Sequence, residues 1–437
     1  MTPLRHSDLP GLRAAACGLL LALTLGGCGG GGGPSAAPAA AAAAPADTTA
    51  TDATTTDSVA TETTATTPDP VATSLTGVKA LSVTAASWLD LDLLQLANYA
   101  SPTLPAHYDA RASGMDSTPV ADPVSNRLAT LGRVLFNDRR LSVNDTVSCA
   151  SCHQQAVGFD DPARLSAGVS GTQFTSAHAM RLGNVRYWRP GTMFWDRRAA
   201  SLETQATQPI QHPVEMGFDA AAGGLAALVA KMNALPYYPE LFEFAFGDAA
   251  ITEARIQRAL AHFERAMVSA GSAWDTAYAL NYDPALADRG LSLPARGFSA
   301  EQERGRVLFI NGPQQGGLGC AGCHVPPTFA LDRNSRSNGL DAGETVIFKS
   351  PSLKNVALGT AFMHDGRFSS LAQVVDHYDA GVQAGPALDN RLRQGNGGPP
   401  RRLNLSVADK QALVAFMGTL TDTAFTADPK FGSPFRR

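Results

Sequence analysis

Apolar residues fall along this chain in three regimes. Ala14 to Leu25 is an unbroken apolar block of twelve residues behind Arg5 and Arg13. Residues 29–80 are Gly, Ala, Thr, Pro and Asp with almost no large apolar side chain. Beyond them the apolar positions turn periodic. Leu128, Leu131 and Leu135 fall at i, i+3 and i+7; Ile256, Leu260, Phe263 and Met267 at i, i+4, i+7 and i+11; and Leu371, Val374, Val375 and Tyr378 at i, i+3, i+4 and i+7. Leu413, Met417 and Leu420 follow suit, so the body of the chain reads as mainly α. Ser370 with Gln373 and Ser406 with Asp409 carry helix-start chemistry. Val83 to Ala100, with Trp88, Leu89, Leu91, Leu93, Leu94 and Leu96, predicts a short helix, and Asn281 to Pro294 reads as a linker.

The periodic region repeats itself. Gly132-Arg133-Val134-Leu135-Phe136 recurs as Gly305-Arg306-Val307-Leu308-Phe309. Each copy is followed by a Cys-x-x-Cys-His run: Cys149, Cys152 and His153, then Cys320, Cys323 and His324. The spacing from Phe to the first Cys differs by only two residues. This five-residue pattern attaches c-type haem: two thiols add to the porphyrin vinyl groups, and the His ligates the iron. A zinc site needs four ligands in one cluster, and a dithiol redox centre has no need of a His after both pairs. The reading is therefore two covalent haems in two tandem cytochrome c-type domains, 81–290 and 291–437. Of six cysteines, only Cys17 and Cys28 lie outside the motifs, so no disulfide framework remains.

Cys17 and Cys28 belong to the leading segment. A positive start and a short apolar block are an export signal, too short to span a bilayer. Leu25-Gly26-Gly27-Cys28 resembles a bacterial lipobox, which makes residues 1–28 a lipoprotein signal with Cys28 lipidated; plain secretion is the alternative. Either route leads out of the cytoplasm, with a periplasmic, membrane-tethered protein as the expectation. Residues 29–80 cannot bury enough surface to offset chain entropy and read as a tether. A net charge of -4 without a basic run excludes nucleic acid as a natural partner.

Several ordered blocks resemble the bacterial di-haem cytochrome c peroxidases, a family that includes the methylamine-utilisation enzyme MauG. They are Cys149 to His153, Phe194 to Glu203, Gln205 to Gly217, Cys320 to His324 and Phe362 to Arg367. The resemblance implies a peroxidatic first haem, a second haem that passes electrons to it, and Trp195 as a relay between them. Read alone, the stretch from Gln205 to Met216 is a polar loop with its Glu in solvent. The resemblance instead makes Glu215 the acid/base, Gln205 its hydrogen-bonding companion and Pro209 a spacer on the open haem face. His212 has no assigned counterpart and is expected at the surface.

Two departures bear on chemistry. Ala167-Gly168-Val169-Ser170-Gly171 has no His where the best-known peroxidases carry a distal one, which implies a first haem that is five-coordinate or water-bound. His178 is the residue that could overturn this. At the second haem the resemblance places Tyr378 opposite His324, as in MauG, with Met363 the rival ligand and a hydrogen-bonded core tyrosine the plain alternative. A Tyr oxygen favours ferric and higher-valent iron, whereas a Met sulfur raises the potential. The family also implies a calcium ion held by the carbonyls of Gly359 and Ala361, beside His364. The leading expectation is a peroxidase that reduces hydrogen peroxide with electrons from a small cytochrome c or cupredoxin. A MauG-like oxidase acting on side chains of a partner protein is the second, and a non-catalytic electron carrier the third.

Overall fold

The computed structural model describes residues 78–436, so the export segment, Cys28 and nearly all of the 29–80 stretch lie outside the described residues. Within them the repeated sequence builds two crossed helix pairs. Helix Asn126–Asn137 packs on helix Glu253–Arg265, and helix Ala300–Ile310 packs on helix Val407–Gly418. The glycine of each repeat explains the crossing. A Cβ on Gly132 would lie 2.0 Å from the Ala259 carbonyl oxygen, and one on Gly305 would lie 1.9 Å from that of Ala412. Only hydrogen fits there, so each pair meets backbone to backbone.

The predicted apolar faces are the buried ones. Leu128, Leu131 and Leu135 are at most 2% exposed, and Ile256, Leu260 and Phe263 are fully buried. Burying a large apolar side chain contributes about 1.5–3 kcal/mol, which sets the inward face of each helix. Caps fix the starts. Ser299 Oγ accepts from the Gln302 N–H at 3.1 Å while Gln302 Oε1 accepts from the Ser299 N–H at 2.9 Å. Ser406 Oγ likewise accepts from the Asp409 N–H at 3.1 Å.

Three expectations change. The helix expected over Val83 to Ala100 spans only Val83–Trp88, because Leu89 pairs with Phe435 and the Asp92 carboxylate turns the chain by accepting the N–H groups of Leu94 and Gln95. The Tyr378 helix is regular over Leu371–Asp376 and then widens into a π turn, His377–Gly381. At its start, Ser370 caps Gln373 as expected, but Gln373 Oε1 reaches Ser369 rather than Ser370. Extended pairing among the described residues is confined to isolated bridges and one two-residue ladder, His324–Val325 with Ala330–Leu331.

Neither core follows the sequence order strictly. Phe425 and Phe431 from the C-terminal tail lie in the core of the first helix pair. Trp274 and Tyr278, which precede the linker, lie in the core of the second. No helix of the described residues is long and apolar enough to cross a membrane.

Candidate active site and haem pockets

The first motif forms a single helical turn, Cys149–Cys152, held by Ser151 Oγ accepting from the Ser148 N–H at 3.0 Å. His153 follows at its end, with Nδ1 3.3 Å from the Phe159 carbonyl oxygen. The second motif turns at Cys320–Gly322 and delivers His324 into the short ladder. Burial lowers the pKa of His153, and burial with the nearby Arg391 charge lowers that of His324 to about 4. Both imidazoles are thereby kept neutral, the form that ligates metal. Burial also pushes the Cys152 thiol up to about 11 and the Cys320 thiol up to about 12. Among the described residues no cluster of His, Cys, Asp or Glu is suited to hold a bare metal ion, which leaves the zinc alternative without a site.

Beside the second motif is a cavity of about 410 Å³. Cys320, Cys323 and His324 line one side, and Leu413, Met417 and Val375 supply apolar wall. His324 Nδ1 is buried without a hydrogen-bond partner. A thiol pair, a neutral imidazole and apolar walls suit a covalent porphyrin. Tyr378 and Met363 both line the same cavity. Burial pushes the Tyr378 phenol above its ordinary value, although Asn338 counteracts part of the shift by hydrogen bonding. Asn338 Nδ2 also lies 3.3 Å from Met363 Sδ, so one amide touches both rivals. Asn338 belongs to no motif and is brought close only by folding.

On the other side of the junction, Gln205 sits on helix Leu202–Ala206 and Pro209 on the next turn, Gln208–Gln211, both half-buried. Glu215 follows on the adjoining loop. Burial raises its carboxyl, opposed by the charges of His212 and Arg198. His212 is exposed as expected, yet its Nδ1 lies 3.7 Å from Glu215 Oε1. The Ala167 to Gly171 loop is laid directly against this segment: Val169 N–H donates to the Val214 carbonyl at 2.9 Å, and a Cβ on Gly168 would lie 1.9 Å from that oxygen.

His178 does not return to that loop. Its Nδ1 lies 3.0 Å from the Arg164 carbonyl oxygen and its Nε2 3.0 Å from Asp160, with both side chains buried. Its own carbonyl accepts from Trp195 Nε1 at 2.8 Å, and its N–H donates to the His364 carbonyl at 2.9 Å. Trp195 faces His364 at 6.5 Å between ring centroids and lines the cavity that holds His324. Trp195 therefore borders the second pocket, and both nitrogens of the His178 ring are engaged elsewhere than the distal loop.

Comparison with known proteins agrees with this geometry. The sequence profile of the di-haem cytochrome c peroxidases matches residues 126–283 and 300–393, more than half of the chain. The chain belongs to the di-haem cytochrome c peroxidase family. It is 32% identical over 319 residues to the methylamine utilization protein MauG of Methylorubrum extorquens, covering 69% of this chain and 80% of that protein. It is 31% identical over 263 residues to the cytochrome c551 peroxidase of Nitrosomonas europaea, covering 58% and 73%. Among solved structures, a MauG-like protein associated with microbial copper homeostasis aligns with TM-score 0.59 at 28% identity, over 73% of this chain and 96% of that one. The di-haem peroxidase BthA of Burkholderia thailandensis, at 22% identity and TM-score 0.54 over 74% and 93%, shares the fold.

This member of the family is thus an oxidoreductase, and the family carries two haems. The calcium expectation fares differently. At Gly359 a Cβ would lie 2.9 Å from Arg181 Nη2 and 3.1 Å from Asp160 Oδ2. Arg181 is buried and ion-paired to Asp160, so a guanidinium is packed against the backbone expected to hold calcium. A divalent cation does not suit that neighbour. Sequence reasoning also missed Glu264, which is 5% exposed with Oε2 unpartnered and whose carboxyl burial pushes up to about 8.

Proposed function

We propose that this protein reacts with hydrogen peroxide at its first haem and withdraws the two electrons from side chains of a partner protein, in the manner of a MauG-like oxidase. Supporting this reading over the donor-driven peroxidase is Tyr378, which faces the cavity of His324 from a π turn. Oxygen ligation holds the second iron at a low potential and suits it to store oxidising equivalents rather than to accept electrons from a small carrier. Residues 81–290 and 291–437 form the two cytochrome c-type units, with Cys149, Cys152 and His153 holding one haem and Cys320, Cys323, His324 and Tyr378 the other. When bound, the haems supply the two electrons that, with two protons, convert peroxide to two waters.

Glu215 moves the proton from one peroxide oxygen to the other. Its half-buried position raises the proton affinity of the carboxylate that takes this proton, and exposed His212 lies 3.7 Å from it. Gln205 orients the peroxide, and Pro209 keeps that face clear of further donors. Trp195 passes electrons between the pockets. The export segment carries the protein to the periplasm, where lipidated Cys28 tethers it.

The test is steady-state consumption of peroxide with reduced cytochrome c or cupredoxin. A negligible rate, together with an oxidised state that outlives mixing and decays on addition of a partner protein, is the expected result. Rapid turnover with the small donor returns the reading to a simple peroxidase. Two six-coordinate, low-spin irons with no response to peroxide would leave only an electron carrier.

A further inference from the structure

A file of aromatic rings leads away from the second pocket. The His324 ring lies 6.3 Å from Phe309, Phe309 lies 5.9 Å from Phe329, and Phe329 lies 4.7 Å from Trp274. From Trp274 the next ring is Tyr278 at 4.8 Å, and from Tyr278 it is Tyr282 at 6.0 Å. Trp274 is 2% exposed and Tyr278 7%, whereas Tyr282 is half-exposed beyond the end of helix Ala273–Ala279. The two phenylalanines are too hard to oxidise to serve as stations, but they fill the gap between the His324 pocket and Trp274 with closely packed π density. The three outer rings are the oxidisable ones.

The polar surroundings of these rings form a gradient. Lys354 Nζ stands 5.0 Å over the Trp274 ring, and a cation there opposes loss of an electron. Asp275, 2.5 Å from that Nζ, balances much of the charge. Tyr278 Oη donates to the Arg289 carbonyl at 3.2 Å, a neutral acceptor that cannot take the proton outright. Tyr282 Oη donates to the Asp109 carboxylate at 2.7 Å, and Arg289 pairs with the same carboxylate. A phenol must shed its proton to be oxidised near neutral pH, so the ring that gives up an electron most readily is the outermost.

We propose that Trp274, Tyr278 and Tyr282 form an oxidation relay from the second haem pocket to the surface, with Tyr282 the point at which an outside side chain is oxidised. This deepens the reading above and rests on it, since peroxide is the oxidant that loads the relay. Tyr282 gives one electron inward through Tyr278 and Trp274 and its phenolic proton to Asp109. The resulting neutral radical is refilled by one electron and one proton from a phenol or indole of the partner, and Asp109 releases its proton to water. Two such events restore the enzyme after one peroxide.

The relay is tested by mixing the holoprotein with hydrogen peroxide alone and freeze-quenching it for electron paramagnetic resonance. A tyrosyl signal is expected in the parent and is lost in Tyr282→Phe, while Tyr282→Phe and Tyr278→Phe each lengthen the oxidised state several-fold. Peroxide consumption on first mixing stays unchanged in both variants, since the relay acts only after peroxide has reacted. Normal peroxide consumption with the radical signal and decay unaltered in both variants overturns the relay and leaves the oxidase reading standing. No reaction with peroxide in the parent overturns both.

Discussion

The two haem motifs sit on matching scaffolds and face unlike surroundings. Phe136 lies 6.5 Å from the His153 ring and 5.3 Å from Phe263; Phe309 lies 6.3 Å from the His324 ring and 5.2 Å from Phe416. Asn184 and Asn355 share a φ of 64°, and both hydrogen-bond to Ser269, one from each half. The side that presents the motif histidine is thus set by helices that meet at a glycine, and it is nearly the same twice. The elements beyond it are not. The first half brings a loop with Glu215 against Gly168, whereas the second brings a π turn with Tyr378. The shared scaffold places the two motif histidines alike, and the elements beyond it set the two surroundings apart.

The largest expected effect removes what the halves share. Gly132→Val or Gly305→Val forces two backbones apart and is expected to cost about 3 kcal/mol, read as a lower unfolding temperature of the holoprotein. Near-equal losses at the two sites would sharpen the comparison, and no loss at either would break it. Next, Glu215→Gln is expected to slow the reaction with peroxide roughly 100-fold while both haems stay attached, followed by stopped-flow absorbance. Unchanged kinetics would falsify the acid/base assignment. Tyr378→Met is expected to raise the potential of the second haem by on the order of 100 mV, within the roughly 0.8 V that axial ligands span. A redox titration without a shift removes Tyr378 from the coordination sphere.

The smallest effect concerns the junction. Burial lowers the His178 pKa, but hydrogen bonding to Asp160 and its charge more than offset that, leaving it above the ordinary value. A raised histidine pKa adds stability that is fully present below the unfolded value, about 6.5, and is lost as pH rises through the folded one. His178→Gln is therefore expected to cost about 1 kcal/mol at pH 6 and less at pH 9. Equal losses at both pH values would show that the charge of His178 contributes nothing.

Much of the scaffold was legible in the chain because it rests on local pattern. Apolar spacing located three of the four helices of the crossed pairs, the repeated pentapeptide located the fourth, and the Cys-x-x-Cys-His runs located the thiols. The reading failed where a contact distant in sequence decides. Leu89 leaves its helix because Phe435 pairs with it, and the π turn at His377 has no signature in the apolar periodicity. The placement of His178 depends on Asp160 and Arg164, which precede it by more than a dozen residues. Trp274, Tyr278 and Tyr282 stand at i, i+4 and i+8 and were passed over, because only the fold shows Asp109 at the end of the file.

The C-terminal tail has a consequence for how the chain is made. Phe425 and Phe431 pack 5.5 Å and 6.2 Å from Phe159, whose carbonyl faces His153. The half that comes first along the chain is therefore completed late, since the residue facing its motif histidine is braced by rings that follow both Cys-x-x-Cys-His runs. Truncation before Phe425 is accordingly an injury to the surroundings of His153, although it strikes the other half of the chain.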